Sequence, residues 1–247
     1  MNILVTNDDG VQSEGILILK ELLNDLGDVR IVAPSVERST TGHTMSLNNP
    51  IRVKKVADKI FSCDGFPADC TMVGIGHIFK NEKIDLVVSG INNGANLGQD
   101  MYYSGTVAAA REATFHGIPA IGISLVVNFQ DKSPKKYFET AATYLKKMIM
   151  SGIREKILPN TLININVPNL PMNEIRGIQL AEMGFRKYSA KIDARIDCRG
   201  RDYFWIGGNY EGYRDIPNSD CNIVDQGYIS LTPLKIFNSL YDIEGGW

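Results

Sequence analysis

Two hydrophobic rhythms alternate along the N-terminal half of the chain. Continuous apolar runs at residues 2–6 (NILVT), 29–34 (VRIVAP), 84–90 (IDLVVSG) and 118–125 (IPAIGISL) predict short buried strands. Between them the apolar residues recur at helical spacing. Ile16, Leu19, Leu22, Leu23 and Leu26 predict a first helix, ended by Gly27. Pro67 suits the first turn of a helix running to about Phe79. Residues 105–116 (GTVAAAREATFH) predict an alanine-rich helix stopped by Gly117 and Pro119. Ser133 and Pro134 predict the cap and start of a long helix to about Met150, with Phe138, Ala141, Ala142, Leu145 and Ile149 facing inward. IRVKKV and FSCDG are weaker strand candidates.

The rhythm changes in the second half. LININVP and IRGIQLAEM read as strands with no clear helix between them. KIDARID alternates with period two, Arg199 and Gly200 can turn the chain, and DYFWIGG returns, which is a hairpin pattern. GYISLTPL is a further strand. Apolar strands alternating with helices require a parallel sheet covered on both faces. The expected fold is therefore α/β: a three-layer, Rossmann-like core with a mostly parallel sheet, plus β-rich C-terminal extensions. We expect one domain over 1–247, with the core at about 1–180 and a hairpin and oligomerisation elements at about 181–247. The hairpin and the partly apolar tail KIFNSLYDIEGGW can pack on another subunit or on their own core.

Composition narrows the function classes. A net charge of -2 over 247 residues argues against a surface for duplex nucleic acid, which usually carries a basic excess. No apolar run approaches the roughly 18–20 residues that cross a membrane. The N-terminus lacks the order of basic, apolar and small residues of a signal peptide, so a cytoplasmic protein is expected. Cys63, Cys70, Cys198 and Cys221 form no CxxC pair and read as free thiols of a reducing compartment. Three histidines are too few and scattered for a histidine-rich metal site.

Candidate chemistry gathers where parallel sheets bind ligands, at the carboxyl ends of their strands. The first strand ends in Asn7, Asp8, Asp9 and Gly10. Two adjacent carboxylates at a buried tip repel, and desolvating either is costly. The second strand is followed by Ser35, Glu37, Arg38 and Ser39, and the third by Ser89, Asn92 and Asn93. An oxygen-rich set of this kind suits Mg²⁺, Mn²⁺ or Ca²⁺. The alternative is that Asp8 or Asp9 caps the next helix and turns with Gly10. Tyr103, Ser104, Gly105 and Thr106 open the alanine-rich helix and form either a phosphate cradle or an ordinary N-cap. The preceding SGINNGANLGQD is richer in amides and glycines than a plain connection needs. His43, in a polar glycine loop, can touch substrate or a leaving group, but a structural role has the larger weight. His77 reads as structural, His116 as a helix C-terminal residue, and Asp64 and Asp69 as caps. Tyr203, Phe204 and Trp205 read as core or interface packing before base stacking. GxxxxGK[ST] and GxSxG motifs are absent from the sequence.

Taken together, NDDG, ERSTTGHTMS, DGFPADC and SGINNGANLGQDMYYSGTVAAAREA resemble the survival protein SurE family of nucleotidases, and GYISLTPL resembles its C-terminal strand. The resemblance implies a metal-dependent phosphomonoesterase acting on nucleoside 5′-monophosphates, with 3′-nucleotides and short polyphosphate as further substrates. By position, Asp8, Asp9, Ser39 and Asn92 match the family's ligands for one divalent ion per subunit, Mg²⁺ or Mn²⁺, with Ca²⁺ as another occupant. Asp8 and Asp9 are the implied catalytic carboxylates, and Asn96, Ser104, Gly105 and Thr106 match the phosphate side. The resemblance also implies homodimers built through C-terminal elements, some pairing into tetramers. This chain departs from the family at two places: Thr40 stands where many members have glycine, and Phe66 where a smaller polar residue is common. Rival readings are a nucleotide-binding oligomer without turnover, a metal-dependent nucleotide-sugar transferase, and hydrolysis through an aspartyl-phosphate.

Overall fold

A computed structural model describes residues 1–127 and 135–237. The four strong strands form as expected: β1 (Asn2–Thr6), β2 (Asp28–Pro34), then, after the hairpin of β3 (Val53–Ala57) and β4 (Ile60–Cys63), β5 (Leu86–Asn93) and β6 (Ala120–Val126). They are joined by β7 (Thr161–Pro168), β8 (Ile178–Leu180) and β13 (Ile229–Lys235). Among the described residues these nine strands make one sheet, in the order β3-β4-β2-β1-β5-β6-β7-β13-β8. All pairs are parallel except β3 with β4 and β13 with β7. The chain steps from β1 to β2 on one side and later returns to β5 on the other. The carboxyl end of β1 is thus a topological switch point, where an open α/β sheet leaves a crevice.

Helices cover both faces. α1 (Glu14–Leu23) and α4 (Phe138–Met150) lay Ile16, Leu19, Leu23, Phe138, Ala141 and Leu145 on a cluster that includes Ile3, Val5, Val88 and Ile165. α2 (Pro67–Val73) and α3 (Gly105–Phe115) cover the other face around Leu4, Val87 and Leu162. Small residues explain the depth of α3: Ala108, Ala109, Ala110 and Ala113 are fully buried, so the helix approaches its neighbours closely. The long fourth helix begins later than expected. Residues 135–137 are not helical, and the expected start at Ser133 and Pro134 lies outside the described residues. Its inward set, Phe138, Ala141, Ala142, Leu145 and Ile149, is buried as expected.

The second half is β-rich, with two short helices the residue pattern left unmarked, α5 (Ile153–Lys156) and α6 (Asp220–Asp225). The expected hairpin is present as β10 (Ile192–Ile196) paired with β11 (Asp202–Ile206), and β9 (Arg186–Tyr188) pairs with β12 (Tyr210–Tyr213). Phe204 and Trp205 are each 62% exposed on β11, so they do not pack in this chain's core.

Candidate metal and phosphate site

The NDDG turn is shaped by Asn7. Its amide nitrogen donates to the carbonyl of Gly10 at 2.9 Å and to Ser13 Oγ at 2.7 Å, while Gly10 N–H donates back to Asn7 Oδ1 at 3.2 Å. Asn7 therefore builds the turn, and the two carboxylates project from it. Asp8 does cap a helix, but the helix is α3 and not α1. Thr106 N–H donates to Asp8 Oδ2 at 3.0 Å and the Thr106 hydroxyl to Asp8 Oδ1 at 2.5 Å. Ser104 is the formal N-cap of α3 and accepts from Val107 N–H at 3.1 Å. The helix N-terminus that read as a phosphate cradle thus already holds an anion, the Asp8 carboxylate. Gly105 is required for this approach: a Cβ there would lie 2.8 Å from Asp8 Cβ and 2.9 Å from Pro67 Cγ.

The other strand ends converge on the same tip. Asn93 N–H, at the end of β5, donates to Asp9 Oδ2 at 3.1 Å. Arg38 N–H, after β2, donates to the Asp8 carbonyl at 2.7 Å and so carries Ser39 to the site. The Ser39 hydroxyl donates to Glu37 Oε1 at 2.6 Å. Asn92 is aimed by a bulge. Between the β5–β6 pairs Ser89↔Gly122 and Asn92↔Ser124, β5 has one residue more than β6. The extra residue puts Asn92 on the face of Ser89, which regular period-two alternation would forbid. Asn92 donates its amide to the Gly94 carbonyl at 2.9 Å, which leaves Oδ1 as its remaining acceptor.

This tip has the electrostatics of a cation site. Burial pushes the Asp9 carboxyl up to about 7, with the neighbouring Asp8 charge second; the Asn93 amide opposes both. Asp8, 4% exposed, is also raised, chiefly by burial. Among the described residues neither carboxylate makes an ion pair with Lys, Arg or His. Asn93, whose backbone N–H holds Asp9, has its side-chain Oδ1 buried without a hydrogen-bond partner. No cluster of three or more His, Cys, Asp or Glu side chains arranged for a metal occurs among the described residues. A cation here would be completed by neutral oxygens, and the donors at hand are the hard ones that Mg²⁺ and Mn²⁺ take. A cleft of about 450 Å³ between α1 and α4, lined by Glu14, Ile18, Tyr137 and Thr140, lacks any such convergence of strand ends.

Asn96 is buried and tied to the strands beyond β5. Its backbone N–H donates to Asn166 Oδ1 at 2.8 Å, and its carbonyl accepts from Asn164 Nδ2 at 2.8 Å and Asn166 Nδ2 at 3.1 Å. Its own amide donates to Ser124 Oγ at 2.8 Å. The asparagines of LININVP, which read only as parts of a strand, therefore lock the loop between β5 and α3. Further out, the buried Asp220 accepts from Gly98 N–H and Gly184 N–H, both at 2.9 Å, so the C-terminal half braces the same loop. Neither tie is visible locally; the partners are 70 and 122 residues apart. Asn166→Ala leaves the buried Asn96 N–H unpaired, while the carbonyl keeps Asn164 Nδ2, and is expected to destabilise the protein by about 1–3 kcal/mol. Thermal melting checks the loss, and hydrogen exchange should speed up at residues 94–98 first.

The two family departures are explained locally. Thr40 has φ +55°, a left-handed conformation that suits glycine and is rare for a β-branched residue. Phe66 lies beneath Arg38, whose guanidinium stacks 5.0 Å from the ring centre and donates to the Asp64 carbonyl at 3.0 Å. Asp69 acts as a cap of α2, accepting from Phe66 N–H, and also takes Ser46 N–H; Asp64 does not cap, and accepts instead from Arg52 N–H, twelve residues earlier. His77 is exposed on the π-helical segment Gly74–Ile78 that continues α2. His43 and His116 both meet Glu112, away from the acidic tip.

Comparison with known proteins bears on the family and the fold. The family model described as Survival protein SurE matches residues 3–190. The 5′-nucleotidase SurE of Geobacter sulfurreducens is 45% identical over 236 residues, covering 96% of this chain and 88% of the relative. That of Petrotoga mobilis is 40% identical over 246 residues, 98% and 96% of the two chains. The crystal structure of the SurE protein from Aquifex aeolicus superposes with a TM-score of 0.87 at 36% identity, covering 99% of this chain and 97% of that one. With the family model matching residues 3–190 and these relatives aligned over nearly the whole chain, this protein belongs to the survival protein SurE family.

Proposed function

We propose that this protein is a metal-dependent 5′-nucleotidase, which hydrolyses nucleoside 5′-monophosphates to nucleoside and phosphate and also accepts 3′-nucleotides and short polyphosphate. Relatives at 40–45% identity are named as 5′-nucleotidases. The observation that carries the reading in this chain is the pair Asp8 and Asp9, both raised by burial, at the one tip where the loops after β2 and β5 meet α3.

Asp8, Asp9, Ser39 and Asn92 would hold one divalent ion, Mg²⁺ or Mn²⁺. When bound, the ion supplies positive charge for the transferring phosphoryl group and acidifies a water. Asp8 is kept in a single orientation by its two bonds to Thr106. Asp9 is fixed through Oδ2 by Asn93, so Oδ1 is the atom that can orient the attacking water or take its proton. On the phosphate side, Thr106 N–H is engaged with Asp8, whereas Ser104 accepts through its oxygen and retains its hydroxyl hydrogen. Ser104 and the second amide hydrogen of Asn96 are the free donors for the phosphate oxygens, whereas the Gly105 N–H, like that of Thr106, is turned to Asp8. Thr106 acts there chiefly by holding Asp8.

The hairpin of β10 and β11 exposes Ile192, Ile196, Phe204, Trp205 and Ile206, an apolar display that suits a second copy of the chain. We assign homodimerisation to these C-terminal elements, with further pairing into tetramers. No helix among the described residues is long and apolar enough to cross a membrane. Cys63, Cys70 and Cys221 are buried and unpaired, which fits a reducing cytoplasm. The deciding experiment is phosphate release from nucleoside monophosphates and polyphosphate with Mg²⁺, Mn²⁺ or chelator. Release from AMP that stops with chelator and returns with Mn²⁺ is expected. AMP binding without release would favour a non-catalytic oligomer, and sugar transfer without release would favour a transferase.

A further inference from the structure

The loop between β2 and β3 runs from 35 to 52 without a helix or strand. A connection of that length inside a compact domain needs anchors or a function. It is anchored to α3 through one side chain. His43 Nε2 lies 2.8 Å from Glu112 Oε2, and the ring stacks on Phe115, centres 5.5 Å apart and planes at 17°. The second oxygen, Glu112 Oε1, meets His116 Nε2 at 3.2 Å, and that nitrogen also lies 3.0 Å from Met72 Sδ of α2.

The carboxylate is costly where it stands. The Glu112 side chain is 8% exposed and lies in the C-terminal half of α3, where the helix dipole disfavours negative charge. Among the described residues the side chains at ion-pair distance are the two imidazoles, with no Lys or Arg. Six residues earlier on the same helix, about 9 Å along the axis, Thr106 holds Asp8. α3 therefore grips Asp8 near one end and the Ser39-bearing loop near the other. Between these grips the loop touches the site through backbone alone, by Arg38 N–H on the Asp8 carbonyl and Gly42 N–H on the Tyr103 carbonyl at 2.9 Å.

We infer that His43, Glu112 and His116 form a positioning clamp that sets Ser39 against Asp8 and Asp9 before the ion arrives. His43 and Glu112 are positioning residues, and His116 fixes the Glu112 carboxylate. The inference rests on the assignment of the ion to Asp8, Asp9, Ser39 and Asn92.

The test is calorimetric Mn²⁺ binding to the purified full chain, with hydrogen exchange over residues 38–46. His43→Gln and Glu112→Gln are each expected to weaken Mn²⁺ binding about 10-fold, the scale of losing a partner that orients a metal ligand. The double variant should be no worse than either alone, because the two act as one contact. Exchange over 38–46 should rise in all three. Should Glu112→Gln fail to fold, His43→Gln carries the test, since its side chain is partly exposed. Wild-type Mn²⁺ affinity in His43→Gln, with binding lost in Asp9→Asn, would overturn the clamp alone. Unchanged binding in Asp9→Asn would instead overturn the assignment of the ion to the acidic tip, and the clamp with it.

Discussion

Asp9→Asn is expected to abolish phosphate release from AMP at ordinary Mn²⁺ levels, a loss of about 10³-fold or more. The estimate exceeds the roughly 10–100-fold cost of losing an outer partner, because the change removes a charge from the ion's own donor set. Asp9 is raised to about 7 because it is desolvated and faces Asp8, and these two effects outweigh the opposing charge of Lys136. Asparagine keeps the size and can still accept from Asn93 N–H, so the fold should survive. The measurement is phosphate release against Mn²⁺ concentration, with a melting curve on the same sample. Turnover within a few-fold of wild type at low Mn²⁺ would exclude Asp9 as a ligand.

Gly105→Ala is the second large effect, and it opposes helix propensity. In a helix, alanine is favoured over glycine by roughly 1 kcal/mol. Here the added methyl would fall 2.8 Å from Asp8 Cβ and 3.0 Å from Asp8 Oδ2, with Pro67 Cγ at 2.9 Å on the other side. Asp8 Cβ and Pro67 Cγ cannot swing aside, and Asp8 Oδ2 is held by Thr106 N–H. Either α3 backs away from the NDDG turn or Asp8 leaves its bonds to Thr106. We expect a destabilisation of about 1–3 kcal/mol from overpacking. A displacement near 1 Å at a positioned group costs about 10²-fold in rate. Melting and kcat/KM for AMP check both. A variant that is more stable and fully active would show that the Asp8–α3 contact is dispensable.

How legible these features were depends on how local their causes are. The strands, α1 and α3 follow from apolar runs and helical spacing that each segment carries by itself. The hairpin of β10 and β11 follows from period-two alternation about a turn. The start of α4 was misplaced because a Ser-Pro pair is a permissive cap signal, and the helical pattern is set by burial from Phe138 onward. α6 was missed because six residues carry too little periodicity. At the site, the candidate residues stood out because Asp, Asn, Ser and Gly cluster after strands. Their contacts did not. That Asp8 would cap α3, 98 residues away, is invisible in the turn that contains it. His43 reads as a loop histidine with a structural role before a substrate contact, and only the packing of α3 shows its partner to be Glu112.

The sequence by itself determined the α/β plan, the acidic tip of the first strand and the family, since each depends on residue types at short, fixed spacings. Tertiary structure decided which groups serve which. It turned Asn7 into the builder of the turn, made the N-terminus of α3 the holder of Asp8, and used a one-residue bulge to aim Asn92. It also drew Asn164, Asn166 and Asp220 from the second half to lock the loop over the site. The physical reason is that a buried polar group must find a partner wherever the fold places one, and that partner is set by the order of strands in the sheet.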